Sequence, residues 1–365
     1  MAEEVQELRV IAPIPAFPAP GWSFGPYASL ATVPDMEIHD SLKVFHPRYL
    51  NIPRVGMHVQ PDLMASALLP AAKALVKSGF DFDVIDAYYF YPDGVAAAIL
   101  AERLNKPLVI TAYGNDLSLI ALRSPRAAKR IRDSARQAGS NTAVCKALAD
   151  ALTGLGIPGD KVHVVLHGVD LELFHPPEDR SSLRERLKMT RPSLLCAGHL
   201  IERKGMHFAI EAIAGLPDTE LFIAGDGPEE SSLRKRAMRL KVADRVNFLG
   251  HLNQDMLRDF LGAADAFVLM SSREGIANVI MESLACGTPV VATAIWGTPE
   301  VICVPEAGRL VPERSANALI SSIRELFLEP PNRQKTRAYA ENFTWTRTTQ
   351  DHLKAIAQAL DGFSR

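Results

Sequence analysis

The sequence has no long hydrophobic run and little net charge, and each absence excludes a class of protein. No apolar run approaches the roughly 20 residues that a membrane-spanning helix needs. The net charge is −2 over 365 residues, which gives no electrostatic support to nucleic-acid binding. Hydrophobic residues make up 47% of the chain, enough to fill the cores of two ordinary domains.

Cysteine is also scarce. Four cysteines are scattered without the spacing of metal ligands and lie mostly in apolar segments: Cys145, Cys196, Cys286 and Cys303. They indicate reduced core thiols of a cytosolic protein. The first residues, MAEEVQEL, are acidic, and we expect no secretion signal there.

The most informative stretch covers residues 266–293. Residues 266–270 form a continuous apolar run that predicts a buried parallel strand, and residues 271–275 predict a polar turn. Residues 278–285 have the apolar spacing of a helix, and residues 289–292 predict a second strand. The unit is therefore strand, turn, helix and strand.

Two carboxylates flank the start of that helix, Glu274 in the turn and Glu282 within the helix. Their separation of eight residues corresponds to roughly 12 Å, beyond the roughly 5–9.5 Å of a glycosidase carboxylate pair. The helix N-terminus between them suits a phosphate. A nucleotide sugar fits this outline, with its sugar near Glu274 and its ribose diol on Glu282. The alternative is two ordinary solvated glutamates.

The whole segment resembles the donor-site motif of the family 4 retaining glycosyltransferases. The residues on that pattern are Glu274, Gly275, Glu282, Gly287, Pro289 and Val290, within EGIANVIMESLACGTPVVAT. The resemblance runs from Arg9 nearly to the end and is strongest from Ser193 to Ile302. It implies an α/β fold of the GT-B type, with two facing Rossmann-like domains, parallel sheets and the donor mainly on the second domain.

The same resemblance divides the chain. Residues 1–175 would form the acceptor-side domain and residues 176–345 the nucleotide-sugar domain, with the last helix, 346–365, packing back on the first. Residues 8–12 predict a strand, but the prolines that follow prevent a helix. RVIAPIPAFP resembles the family's second strand, so we hypothesise that the first strand–loop–helix is missing. The alternative is a divergent subfamily with a rebuilt N-terminus.

The segment GHLIERKG carries the expected leaving-group cations. Lys204 matches the family's lysine, whereas His199 stands where the family has arginine, and Arg203 can supply the second charge. Two cations facing a diphosphate stabilise the charge that develops as the sugar bond breaks. With Glu274, these cations are the catalytic candidates. The resemblance also implies donor-binding residues: Glu282, Gly275, Ile276, Ala277, Asn278, His199, Gly198, Gly227 and Gly250.

On the acceptor side, the family often has a histidine in a Thr–x–His–Gly setting, and here Tyr113 takes its place. Tyr113 and Asp116 follow a predicted strand and are the catalytic candidates of this domain. An inverting reaction would need a base here, whereas a retaining one can pass the proton to the leaving phosphate. The alternative for the tyrosine is packing at the rim of the sheet.

The resemblance implies transfer of a hexose, with retention, from a UDP- or GDP-sugar to a saccharide or lipid-linked acceptor in cell-surface polysaccharide or glycolipid synthesis. It implies no cofactor and no metal, because Lys204, Arg203 and the helix N-terminus take that role. Three alternatives stay open. These are a sugar-nucleotide epimerase, a phosphorylase, and a non-catalytic or truncated homologue that binds nucleotide or a partner without turnover.

Residues 123–136 are rich in basic side chains: Arg123, Arg126, Lys129, Arg130, Arg132 and Arg136. A basic helix can dock on an anionic membrane that carries a lipid-linked acceptor. The alternative is a solvated charged helix, because the apolar face is thin. The expected location is the cytoplasm, with peripheral contact to the inner face of the membrane left open.

Overall fold

The computed structural model describes residues 4–16, 30, 32–51 and 56–363. The chain divides into two compact units, each with its own parallel sheet. The first unit contains Met1–Val144, Leu148–Val165 and Thr349–Arg365, and the second contains Cys145–Ala147 and Leu166–Thr348.

The first unit alternates strands and helices. Its described strands are β1 (Arg9–Ile11), β2 (Ile14–Ala16), β3 (Met36–His39), β4 (Leu42–Phe45), β5 (Arg48–Leu50), β6 (Ile85–Tyr88), β7 (Leu108–Ala112), β8 (Ser140–Ala143) and β9 (Val162–Val164). Its helices include α1 (Gln60–Lys77), α2 (Val95–Leu104), α3 (Pro125–Gln137) and, from Leu148 onward, α4 (Lys146–Gly154). Strands β6, β7, β8 and β9 form a four-stranded parallel sheet in that order.

Smaller strand groups occupy the N-terminal part of this unit. β1 pairs in parallel with β4, β3 pairs antiparallel with β4, and β2 pairs in parallel with β5. The strand predicted at residues 8–12 is confirmed by β1. Phe17 and Pro18, which end the segment interpreted as the family's second strand, lie outside the described residues.

β6 spans Ile85–Tyr88 and includes the polar residue Asp86. A buried aspartate without a partner is costly. In the structure, Asp86 Oδ2 lies 2.8 Å from His352 Nε2, although the two residues are 266 positions apart in the chain. A distant partner therefore permits the polar residue in the strand.

The second unit has one six-stranded parallel sheet, in the order β12-β11-β10-β13-β14-β15. The strands are β10 (Ser193–Ala197), β11 (Glu220–Ala224), β12 (Val246–Gly250), β13 (Ala266–Leu269), β14 (Val290–Thr293) and β15 (Gly308–Val311). The helices are α5 (Arg180–Arg186), α6 (Met206–Ala214), α7 (Glu230–Arg239), α8 (Gln254–Ala263), α9 (Asn278–Ala285), α10 (Thr298–Val301), α11 (Ala316–Leu328) and α12 (Arg333–Ala340). β10, β11, β13 and β14 are buried along their whole length, which explains why their sequences are mostly apolar.

The last helix, α13, spans Trp345–Asp361, and its residues from Thr349 onward belong to the first unit. The helix packs closely there, because a methyl group on Gly139 would lie 2.8 Å from both Cα and Cβ of Ala359. Gln358 donates a hydrogen bond of 2.7 Å to the carbonyl of Asp160. Small residues and polar contacts thus hold α13 on the first unit.

The expectation for the cysteines is only partly right. Cys145, Cys196 and Cys286 are buried, whereas Cys303 is exposed, with Sγ 3.2 Å from the hydroxyl of Tyr339. The apolar residues next to Cys303 gave it the pattern of a core position, but it lies just after the short helix α10.

Replacing Gly139 with alanine tests the packing of α13. Because the added methyl group would overlap Ala359, we expect the free energy of unfolding of the first unit to fall by about 1–3 kcal/mol, measured by urea titration. Gly154→Ala is the control, since a methyl group there meets nothing within 4 Å. Equal unfolding midpoints for the two variants would contradict the close packing.

Candidate functional site

The predicted site residues of the second unit collect at one edge of its sheet. Because the strands are parallel, the loops after their carboxyl ends share that edge. These residues are Gly198, His199, Arg203 and Lys204 after β10, Gly227 after β11, Gly250 ending β12, Glu274, Gly275, Ile276 and Ala277 after β13, and Asn278 and Glu282 in α9.

Neighbouring turns at this edge approach each other closely, and this explains why glycines occur there. A methyl group on Gly225 would lie 2.1 Å from the carbonyl oxygen of Gly198, and one on Gly227 would lie 2.4 Å from that of Leu200. Gly198 has a φ of +138° and Gly250 a φ of +68°, in the region that favours glycine. The fold therefore requires these glycines, whether or not they also contact a donor.

The carboxylate of Glu274 gathers three donors on one oxygen. Lys204 Nζ lies 2.7 Å from Oε1, Ser271 Oγ lies 2.8 Å away, and the Arg203 guanidinium lies 3.5 Å away. Arg203 makes its shorter bond, 2.7 Å, to the carbonyl of Arg273. The Glu274 side chain is only 11% exposed, so these attractions act with little screening by water. The structure thus brings together the three catalytic candidates of this unit.

Arginine side chains bind backbone carbonyls at the C-terminal end of helix α9, whereas no side chain caps its N-terminal end. It begins without a side-chain cap and with no acidic residue in its first turn, so its backbone N–H groups form a positive end. At the other end, Arg337 donates to the carbonyl of Ala285 at 2.9 Å and Arg333 to that of Cys286 at 3.3 Å. The end that remains suited to an anion is the one beside the Glu274 loop.

Glu282 lies in the second turn of α9 and is mostly buried. Burial raises the pKa of Glu282 to about 7. Among residues 4–16, 30, 32–51 and 56–363, none donates a hydrogen bond to this carboxylate or forms an ion pair with it. The alternative of an ordinary exposed helix glutamate is therefore wrong. An acceptor without donors is well suited to the hydroxyl groups of a ligand.

His199 is exposed and is fixed by one hydrogen bond. Its Nδ1 lies 2.7 Å from the carbonyl oxygen of Asp226, in the turn after β11. The imidazole therefore stands at the same edge as Lys204, where the resembled family has an arginine.

His167 is a residue at this edge to which sequence reasoning gave no role. Its Nδ1 lies 3.0 Å from Asn278 Oδ1, and its ring centroid lies 6.0 Å from that of Trp345. Burial lowers the pKa of His167 below its ordinary value, so the ring is neutral at physiological pH. The sequence carried one signal for this residue, which is that the resembled family usually has asparagine where this chain has His167.

Asp116, the second catalytic candidate of the first unit, is 0% exposed, and its catalytic role stays a prediction. Its carboxylate accepts backbone hydrogen bonds from Phe90 at 3.0 Å, Gly114 at 2.8 Å and Leu117 at 3.1 Å. Asp116 therefore ties the turn after β7 to the turn after β6.

Tyr113 lies after β7, with its ring centroid 6.1 Å from that of Tyr88. Burial, and secondly the charge of Asp86, raises the pKa of Tyr113 to about 12. The phenol stays protonated at physiological pH, which excludes a role as general base. A role in hydrogen bonding or stacking with a substrate stays a prediction.

Among residues 4–16, 30, 32–51 and 56–363, no three His, Cys, Asp or Glu side chains are grouped so that they could hold a metal ion. Within the same ranges, no helix is both long and apolar enough to cross a bilayer.

Comparison with known families gives matches over most of the chain. A model described as Glycosyltransferase Family 4 matches residues 10–173, and one described as Glycosyl transferases group 1 matches residues 178–343. The chain is 30% identical over 333 residues to the Bacillus subtilis protein TuaC, which is named as a teichuronic acid biosynthesis glycosyltransferase. That match covers 88% of this chain and 82% of the relative.

Two further similarities are informative. The chain is 36% identical over 181 residues to a GDP-mannose-dependent phosphatidylinositol monomannoside mannosyltransferase of Corynebacterium glutamicum, over 46% of this chain and 47% of that protein. The structure of Anabaena HepE in complex with UDP superimposes with a TM-score of 0.73 at 23% identity, over 86% of each chain. The latter similarity concerns the fold.

The Glu282→Gln variant tests the cost of the unpaired carboxylate. Because the pKa of Glu282 in the folded protein, about 7, exceeds the ordinary 4.5, its contribution to stability is full below pH 4.5 and is lost as the pH rises through about 7. Glutamine does not ionise, so the ligand-free variant should melt about 7–14 °C above the wild type near pH 8.5 and at the same temperature near pH 4.5, by scanning calorimetry. A difference that is the same at both pH values would contradict the assignment.

Proposed function

The chain belongs to family 4 of the glycosyltransferases, and we propose that it transfers a hexose, with retention, from a UDP- or GDP-sugar to a saccharide or lipid-linked acceptor. The process we propose is cell-surface polysaccharide or glycolipid synthesis, in keeping with the names of TuaC and the Corynebacterium mannosyltransferase. The observation that carries the proposal is the row formed by the Glu274 loop, the uncapped start of α9 and Glu282.

Each part of a nucleotide sugar finds a matching group in this row. Glu282 suits the ribose hydroxyls, because its carboxylate has no donor among the described residues. The N-terminus of α9 suits the diphosphate, and Lys204 and Arg203 stand beside it. Glu274 is left for the hexose. The rest of the Glu274 loop and the first turn of α9 separate Glu274 from Glu282, so the ligand that fits this row is an extended one.

The same groups would assist departure of the nucleotide. The bond between the anomeric carbon and the donor phosphate oxygen breaks, and the acceptor oxygen bonds to the same face of the sugar. The acceptor proton passes to the leaving phosphate oxygen, so no side-chain base is needed. Lys204, Arg203 and the α9 N–H groups would stabilise the developing negative charge. We expect no metal requirement, because these cations supply the positive charge.

Two nucleotides, UDP and GDP, remain candidates for the donor. The Corynebacterium relative is GDP-mannose-dependent, and HepE, which shares the fold, was solved with UDP. Both nucleotides therefore belong in the proposal.

For the acceptor we propose contact with an anionic membrane through the α3 surface, defined by Leu122, Arg123, Arg126 and Lys129. Leu122 is 76% exposed and lies just before Arg123 and Ser124, the residue that caps α3, and the three basic residues are exposed. An exposed leucine among cations suits the interface of an anionic bilayer. Two charges are partly neutralised: Lys129 lies 2.7 Å from Asp133, and Arg130 pairs with Asp62 at 2.6 Å. The surface therefore depends chiefly on Leu122, Arg123 and Arg126.

Calorimetric titration with UDP, GDP and ADP tests the donor site. We expect UDP or GDP to bind preferentially, and Glu282→Ala to weaken that nucleotide about tenfold or more, because two hydroxyl-to-carboxylate hydrogen bonds are lost. Glu329→Ala is the matched control, since it ends α11 at the opposite edge of the sheet. Absence of binding, or equal weakening by both variants, would contradict the proposal.

Vesicle sedimentation tests the membrane contact. The protein should sediment with phosphatidylcholine vesicles containing about 30% phosphatidylglycerol and much less with phosphatidylcholine alone. Leu122→Glu should lower the partitioning about tenfold, because a leucine no longer enters the interface and a negative charge is added. Leu328→Glu is the control, as Leu328 is 82% exposed on the second unit. Equal losses for the two variants would overturn the contact.

A further inference from the structure

We propose that His199 binds the donor diphosphate only as the imidazolium, so that donor affinity falls as this side chain loses its proton. The inference rests on the proposed function. It concerns a residue whose type departs from the arginine of the resembled family, and it follows from the hydrogen bond that the structure gives to one ring nitrogen.

The carbonyl oxygen of Asp226 fixes the tautomer of His199. That oxygen lies 2.7 Å from His199 Nδ1 and also accepts the backbone N–H of Leu200 at 2.8 Å. A carbonyl oxygen can only accept, so Nδ1 must carry the hydrogen. In the neutral ring, Nε2 then holds a lone pair and has no hydrogen to donate.

Phosphate oxygens are also acceptors. A neutral His199 would direct its Nε2 lone pair at them, which is repulsive, whereas the imidazolium would donate a charge-assisted hydrogen bond. A histidine with a free choice of tautomer could donate from Nε2 while neutral. The contact with Asp226 removes that choice and makes protonation the condition for binding.

His199 stands next to the other phosphate candidate. A methyl group on Gly198 would lie 3.7 Å from Lys204 Cε, so the lysine chain passes over the turn that carries His199. Lys204 in turn reaches Glu274 at 2.7 Å, in the loop that leads into α9. A diphosphate at the start of α9 would therefore lie at the same edge as both side chains.

The charged groups around this turn come from several loops. They are Glu202, Arg203 and Lys204 in its own turn, Asp226 and Glu229 after β11, His251 after β12, Glu274 after β13 and Arg314 after β15. Three of the acids already have partners: Glu202 with Arg314 at 3.2 Å, Glu229 with Ser232 at 2.7 Å, and Glu274 with Lys204. Because only the imidazolium form of His199 would donate to the diphosphate, donor binding should take up a proton.

Glu282 acts in the opposite direction. Its pKa is raised to about 7 by burial, and the ionised form is the better acceptor for ribose hydroxyls, so its contribution to affinity grows with pH. The pH profile of the wild type alone would mix the two residues. Variants of His199 in an unchanged Glu282 background separate them.

The test is calorimetric titration with UDP-glucose and GDP-mannose between about pH 5.5 and 8.5, in buffers of different ionisation enthalpy. These donors carry no phosphate that titrates in that range. Relative to His199→Gln, which can still donate to Asp226, the wild type should bind about tenfold tighter at the acidic end. It should lose that advantage at the basic end. The wild type should also take up close to one proton more than His199→Gln near neutral pH.

Two further variants complete the design. His199→Arg should bind as tightly as the protonated wild type across the range, because a guanidinium keeps its charge. His251→Gln, an exposed histidine at the neighbouring strand end, should keep the wild-type profile. If the donor binds but the wild type and His199→Gln have the same profile and proton uptake, this inference fails while the proposed function stands. If neither donor binds at any pH, both fail.

Discussion

At the carboxyl edge of the second sheet, the turn after β10 touches its neighbours on both sides. A methyl group on Gly225 would lie 2.1 Å from the carbonyl of Gly198, and one on Gly205 would lie 2.1 Å from that of Met270. The first contact fixes the turn that carries His199 against the turn after β11. The second places Lys204, the residue before Gly205, against the loop that holds Glu274. The positions of the charged groups thus depend on backbone contacts that only glycine allows.

Two polar groups of this unit share a pattern. Among the residues that the structure describes, no side chain caps the start of α9 and none donates a hydrogen bond to the carboxylate of Glu282. Both lower the stability of the empty protein, and both are complementary to one extended ligand with a diphosphate and a diol. Uncompensated polar groups of this kind are retained where a ligand supplies the partner.

The sequence was sufficient for the second unit where the apolar pattern is strong. The helix at 278–285 is confirmed with the predicted bounds, and the strands at 266–270 and 289–292 are confirmed to within one residue at their ends, because buried strands and an amphipathic helix follow directly from side-chain spacing. The sequence was not sufficient where the partner of a side chain is distant along the chain. The backbone donors of Asp116 come from two different turns, and the 111 positions between His167 and Asn278 hide their contact. The partner of Asp86 in β6, His352, is likewise 266 positions away in the chain.

Helix α9 has eight residues, so its uncapped first turn is half of it. A ligand anion at that end would serve as the missing N-cap, and ordering of the helix and occupancy of the site would become one coupled equilibrium. Coupling of this kind is reciprocal. Arg333 and Arg337, which hold the opposite end of α9, would then influence donor affinity without touching the donor. The binding constant for the donor would then depend in part on contacts made by helix α12.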